Sequence, residues 1–399
     1  MAIRRPNGRG ARFVAGRMQS AAQSADTATG SVAGFTYGEL AVLVDGDRPE
    51  PVRWLEEFLA PPFRVGARDA YAASVTLRED ARRYAEALAN QPAATAALDA
   101  FVNDTHMIQL PHWSSGPDRL TAFQQSFRVF YAVDRAARSV AILSPENNAS
   151  ARTALMRVVR EIAMNRARSD GGVFLHAAAI AVGERGLLIA GEKGAGKTTV
   201  LLHLLRETGA DYVANDRVLL VSPDGATARG MPTIVTVRPR SLAFVPGLQA
   251  ALVARSFHYL RTLAEAAPDA RPPRPWADDS VGLSPAQVCA LLGVERRAEC
   301  IPCALLFPRI TTESGGAHLR ELTPGEAVAR LRRALLSAGL AKHTSDLVAF
   351  RDDPPAGEEP VEEMLHAVAA RVPCMECRLG AGTYGNGALA AECQRLLAV

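Results

Sequence analysis

Eight consecutive residues carry the clearest chemistry in this 399-residue chain: Gly191-Glu192-Lys193-Gly194-Ala195-Gly196-Lys197-Thr198, a complete GxxxxGK[ST] phosphate loop. Glycines at that spacing let the backbone curl so that successive N–H groups face phosphate oxygens at the positive end of the following helix. Lys197 then reaches the β- and γ-phosphates, Thr198 offers its hydroxyl to Mg²⁺, and Thr199 follows on the first helical turn. From background composition the pattern would arise by accident in about one to two chains per hundred of this length. The next carboxylate that could act on a phosphate is Asp216, after Asn215, one helix and one short strand further on. If that strand neighbours the loop's strand in a parallel sheet, Asp216 emerges beside the γ-phosphate, where it can hold Mg²⁺ or take a proton from an attacking hydroxyl. The alternative for Asp216 is a plain turn cap before Arg217.

The flanking sequence supplies the elements that position these groups. Val173 to Val182 reads as a strand, Gly183 to Gly186 as a tight turn, and Leu187 to Ala190 as a second strand entering the loop. A helix is expected from Thr198 to about Glu207, closed by Gly209, followed by a strand Tyr212 to Ala214. Further strands are expected at Arg217 to Ser222, Ala304 to Phe307 and Met375 to Leu379. Helices open at Ser284-Pro285 and at Thr323-Pro324-Gly325-Glu326, the latter with the spacing of a capping box.

The block His176 to Val218, LHAAAIAVGERGLLIAGEKGAGKTTVLLHLLRETGADYVANDRV with its preceding leucine, resembles the core of the HPr kinase/phosphorylase family. His176, the loop 191–198 and Asn215-Asp216 stand where the family has a strand histidine, its phosphate loop and an acidic pair. A weaker resemblance continues through Arg229-Gly230-Met231-Pro232. The resemblance implies an α/β P-loop kinase core, ATP and Mg²⁺ as cofactors, assembly of several copies, and phosphoryl transfer to a seryl hydroxyl. Lys197, Asp216 and His176 would then be catalytic, residues 191–199 would hold the nucleotide, and Thr198 and Asp216 the metal. Two positions depart from the pattern: Asn215 replaces one carboxylate, and Ala228 stands where a metal-binding glutamate is expected. The chain thus resembles the divergent HPr-kinase-like proteins, which the resemblance suggests act on other hydroxyls, including those of biosynthetic peptides. Taken alone, a His on an apolar strand is more often a core or hinge residue than a catalyst; the match of His176 to the family position makes a partner of Asp216 an equal reading. The missing carboxylate also permits an accessory ATPase with water as the only acceptor.

Two cysteine pairs, Cys300-Ile-Pro-Cys303 and Cys374-Met-Glu-Cys377, have metal-like spacing and open a third reading, a non-catalytic scaffold. Each borders an apolar strand, on which residues i and i+3 face opposite sides, so buried thiols are favoured over zinc. Arg238-Pro239-Arg240 could grip a phosphate or carboxylate, or be solvated loop charge. Ala266 to Ser280, with Arg271, Arg274 and Trp276, reads as a surface linker in preference to a lid, and Asp278 and Asp279 as solvated.

Composition frames these sites. With 48% apolar and 22% charged residues the chain is globular, which excludes a disordered or collagen-like protein. Its net charge of +3, from 45 Lys+Arg against 42 Asp+Glu, offers no global attraction to nucleic acid or an anionic membrane. No apolar run reaches the ~18–20 residues of a spanning helix, and a cytoplasmic setting is the default. The partner expected is a peptide, small protein or small-molecule alcohol. The domains expected are a disordered tail 1–33, an N-terminal α+β module 34–150 with a helix at Asp80 to Ala89, and a P-loop domain 170–399 beyond a helix at 149–168.

Overall fold

A computed structural model describes residues 30–92, 94, 96–103, 106–221, 224–242, 245, 247–265, 280–311, 315–336, 344–350, 359–380, 383 and 387–398. The chain is mixed α/β and divides into two compact units, one comprising residues 1–56, 63–166 and 342–354 and the other 57–62, 167–341 and 355–399. No helix among the described residues is long and apolar enough to cross a membrane.

The first unit is built on a nine-stranded sheet of β1 (Ser31–Tyr37), β2 (Leu40–Gly46), β3 (Arg64–Val65), β4 (Ala73–Glu79), β5 (Ala96–Asn103), β6 (His106–Ser114), β7 (Arg119–Gln124), β8 (Val129–Asp134) and β9 (Ser139–Ser144). Their order is β3-β1-β2-β4-β9-β8-β7-β6-β5. β4 pairs in parallel with β2 and β9, and the remaining neighbours are antiparallel. Helix α1 (Pro49–Leu59) begins in this unit, α2 (Ala81–Ala89) lies wholly in it, and most of α3 (Ala149–Ser169) belongs to it. The Asp80 carboxylate caps α2 by accepting the Arg83 N–H at 2.8 Å, and Tyr84 and Ala87 of that helix pack on Trp113, Phe123 and Phe130. On α3, Ala151, Leu155, Val158 and Ile162 are buried, so its apolar stripe is core. Residues 344–350 return to this unit late in the chain: Asn165 Nδ2 donates to the Ser345 carbonyl at 2.9 Å, the Asp346 N–H donates to Asp99 O at 2.7 Å, and Arg138 lies over the Phe350 ring.

The second unit contains β10 (Val173–Leu175), β11 (Ala177–Val182), β12 (Arg185–Ala190), α4 (Lys197–Thr208), β13 (Asp211–Ala214), β14 (Val218–Leu220), β15 (Ala228–Gly230), β16 (Val235–Val237), α5 (Pro239–Leu242), α6 (Leu248–Arg255), β17 (Val281–Leu283), α7 (Pro285–Leu292), β18 (Glu299–Ile310), β19 (Ala317–Glu321), α8 (Pro324–Arg333), α9 (Glu359–Arg371), β20 (Cys374–Leu379) and α10 (Ala388–Ala398). Its main sheet also has nine strands, ordered β10-β14-β15-β18-β12-β11-β13, with β20 beside β18 and β19 beyond it. One face buries α4, α6, α7 and α10, and the other buries α8 and α9. The expected capping box of Thr323 with Glu326 is present, and Ser284 forms a second one with Gln287.

Three expectations need correction. The strand expected over Val173 to Val182 breaks at His176, whose N–H donates to Ala334 O at 2.6 Å instead of joining a strand ladder. Within the tail expected over 1–33, Ser31, Val32 and Ala33 are strand and pair with Gly46, Asp45 and Val44; residues 1–29 lie outside the described residues, as do Arg271, Arg274, Trp276, Asp278 and Asp279. Lastly, β13 does not adjoin β12. β11 lies between them, antiparallel to both, so β12 and β13 run the same way one strand apart.

Candidate functional site

Strand direction assembles the site. β12, β18 and β20 are mutually parallel, and β13 shares their direction, so their carboxyl ends meet at one edge where β11 begins. Ala190 on β12 faces Ala177 on β11, and Ala214 on β13 faces Ala179. Gly191, His176 and Asn215 therefore follow or precede these paired residues along a single edge, the usual ligand-binding edge of an open α/β sheet.

The loop after β12 curls through left-handed backbone at Gly194 (φ 85°) and Gly196 (φ 102°). A Cβ added at Gly194 would meet no atom within 4 Å, so the glycine there answers to dihedral angle and not to crowding. Gly196 caps α4 without a side-chain hydrogen bond, leaving the positive end of a 12-residue helix facing the loop. Lys197 is buried and bends back, its Nζ donating to the carbonyls of Gly191 at 2.8 Å and Glu192 at 2.9 Å. Thr198 Oγ1 donates to Asn215 Oδ1 at 3.1 Å. Thr199 turns the other way and shares a hydrogen bond with Ser241 at 2.9 Å, so it braces α4 instead of lining the loop. Glu192, on the loop's outer side, pairs with Arg333 at the end of α8 at 3.1 Å.

Opposite the loop, His176 Nε2 lies 2.9 Å from Asp216 Oδ1, and Arg217 Nε lies 3.8 Å from Asp216 Oδ2. Asp216 has φ 77°, a left-handed conformation that costs a non-glycine residue about 1–3 kcal/mol and recurs at functional sites. The turn is held by its neighbours: Thr233 Oγ1 donates to Asn215 O at 2.6 Å and the Met231 N–H donates to Arg217 O at 3.1 Å. Burial pushes the Asp216 pKa up, but the hydrogen bond from His176 and the charges of His176, Arg217 and Lys197 outweigh it, leaving the group below the usual aspartate value. Asp216 is thus a carboxylate at neutral pH.

The structure brings His176, residues 191–198 and Asp216 to one edge, as their spacing anticipates. Two contacts escape sequence reasoning. Thr198 with Asn215 joins residues on different elements, and Arg333 with Glu192 is hinted at only by the basic last turn of α8. Thr198, Asn215 and Asp216 present hard oxygen donors, the set that suits Mg²⁺ alongside phosphate and water. Among the described residues no group of three or more His, Cys, Asp or Glu side chains converges as a metal site. Cys300 and Cys374 pack on the α8 face of the sheet and Cys303 and Cys377 on the α4 face, so the sheet itself separates the members of each pair. Burial pushes the Cys300 and Cys377 thiols up to about 12, away from the thiolate a metal needs. Arg238 is exposed at the start of α5; the side chain of Arg240 lies outside the described residues.

No family model matches the chain, and no curated protein matches it.

Proposed function

We propose that the second unit is an ATP-dependent phosphotransferase of the HPr-kinase type, moving the γ-phosphoryl group to an alcohol, with a seryl side chain of a peptide or small protein as acceptor. One observation carries this reading: a hydrogen-bonded His176–Asp216 pair stands on the same sheet edge as the Lys197-Thr198 phosphate loop. In the reaction Lys197 exchanges the carbonyls of Gly191 and Glu192 for the β- and γ-phosphates, and the loop amides stabilise charge on the transferring group. Asp216 accepts the hydroxyl proton as the acceptor oxygen bonds to phosphorus and the bond to the ADP oxygen breaks. His176 holds the carboxylate in place through its Nε2. Mg²⁺ bound by Thr198 and Asp216 would supply charge neutralisation on the phosphates.

Asn215 in place of a second carboxylate supports one other reading, an accessory ATPase that transfers to water. Incubation with γ-labelled ATP and serine peptides separates the two. Transfer to peptide that falls by about 10²–10³-fold in Asp216→Asn supports the kinase; label recovered only as free phosphate supports the ATPase.

A further inference from the structure

β18 and β20 pair in parallel with Arg309 opposite Arg378, and β19 adds His318 opposite Arg378 on the other side. All three project from the α8 face, continuing the alternation that buries Leu305, Phe307 and Cys374 there, and all three are exposed. In the adjoining row Arg320 faces Glu376. The buried Glu376 is shared by Arg378 at 2.9 Å, by Arg330 and, at 3.9 Å, by Arg320, which also pairs with Glu326 at 3.1 Å. Two carboxylates therefore serve three arginines, while Arg309 and His318 have no partner among the described residues. Like charges set opposite each other across strands are destabilising; Glu376 offsets Arg378, and no described carboxylate pairs with Arg309.

This row adjoins the phosphate loop. Ile310 and Leu379, the residues that follow Arg309 and Arg378, lie under Gly196, where an added Cβ would come within 3.3 and 3.6 Å of them. Ile310 is also 59% exposed, but strand alternation turns it with Leu379 to the α4 face, opposite the Arg309 side chain. We propose that the row Arg309–Arg378–His318, with Arg320, docks an acidic stretch of the phosphoryl acceptor; this rests on the phosphotransferase reading above. Guanidinium forks match carboxylates, and cations spaced by neighbouring strands, ~4.8 Å apart, address a series of carboxylates in place of one phosphate.

The test uses the full chain and a fluorescein-labelled decapeptide of Asp and Glu around one serine, with a lysine-rich version as control. Wild-type protein should bind the acidic probe, more weakly as salt rises, and not the control. Arg309→Glu/Arg378→Glu should bind it at least ~10-fold more weakly while its affinity for a fluorescent ATP stays unchanged. Arg309→Gln, which removes no described contact, should give a smaller loss in the same direction and guards against misfolding of the double variant. Equal binding of acidic and basic probes, or full acidic binding by both variants, would overturn the proposal. So would a parallel loss of ATP affinity, which would assign the row to the nucleotide. Failure of the wild type to bind ATP, read in its own titration, would remove the phosphotransferase reading and the acceptor role with it.

Discussion

Each unit is organised around a nine-stranded sheet, and the two sheets treat their charges and their strand ends differently. In the first, charges on neighbouring strands close on one another: Arg78 on Asp45 and Asp47, Arg48 on Glu79, Arg119 on Asp134. From β5 to β9 successive strands are antiparallel, so their ends are spent on hairpin turns such as those holding Arg128 and Arg138 in left-handed conformation. A groove of about 730 Å³ against β6 and β7 is lined by amides and apolar groups, among them Gln91, Gln109, Gln124, Ile108 and Phe123, with no titratable side chain. In the second unit four strands run the same way and are separated in sequence by helices. Their carboxyl ends deliver the loop, Asp216, Arg309 and Arg378 from distant segments to one edge. Co-directional strands gather chemistry; hairpins consume their ends in turns.

The sharpest way to break this contrast is Lys197→Ala. It should lower the proposed phosphoryl transfer by about 10³-fold or more and leave hydrogen exchange of the first unit's sheet unchanged, because the proposed site lies on the other sheet. Paired glycine substitutions test whether the units are otherwise built alike. A Cβ at Gly34 would come within 2.3 Å of Gly66 O in the first unit, and one at Gly230 within 2.3 Å of Val213 O in the second. Each alanine variant should lose about 2–4 kcal/mol in its own unit by hydrogen exchange. Gly34→Ala should keep ATP binding at low temperature, whereas Gly230→Ala, beside β13, should weaken it.

Acid should also separate the two. His258 in the second unit is buried, its Nδ1 accepts the Leu260 N–H, and burial lowers its pKa from 6.5 to about 4. The unfolded chain takes up that proton first, so the contribution is fully present above pH 6.5 and is lost as the pH falls toward 4. A loss of about 1–3 kcal/mol is expected in the second unit between those values, flattened in His258→Leu and absent from the first unit. The smallest effect concerns Glu326, held to about 2 by the Thr323 N–H and then by Arg320. Its contribution should be complete above pH 4.5 and disappear as the pH falls to 2. The difference in melting temperature between wild type and Glu326→Gln should shrink over the same range.

Local order was legible in the sequence where a residue acts through its near neighbours. Asp80, Ser284 and Thr323 announce their helices because a cap reaches only three residues along, and the loop 191–198 announces itself because its curl needs glycines at fixed spacing. His176 and Asp216 were legible as candidates, and β11 as part of a strand, but not its place between β12 and β13, since pairing order is set by which strand β13 joins after α4 and not by the tight Gly183-Glu184 turn. The Arg309–Arg378 row was invisible for a related reason: its members stand far apart in sequence, and only strand register sets them opposite.

The late return of residues 344–350 to the first unit bears on the order of synthesis. Ser345 donates to Ala100 O and takes the Asn165 amide, and Arg135 donates to Asp346 O. A chain emerging from the ribosome therefore presents an incomplete first unit until these residues appear, after the phosphate loop has already been made. β20 emerges later still. Neither unit is complete in a chain stopped before residue 344, although the first sheet has all its strands by Ser144, and no single cut releases either unit whole.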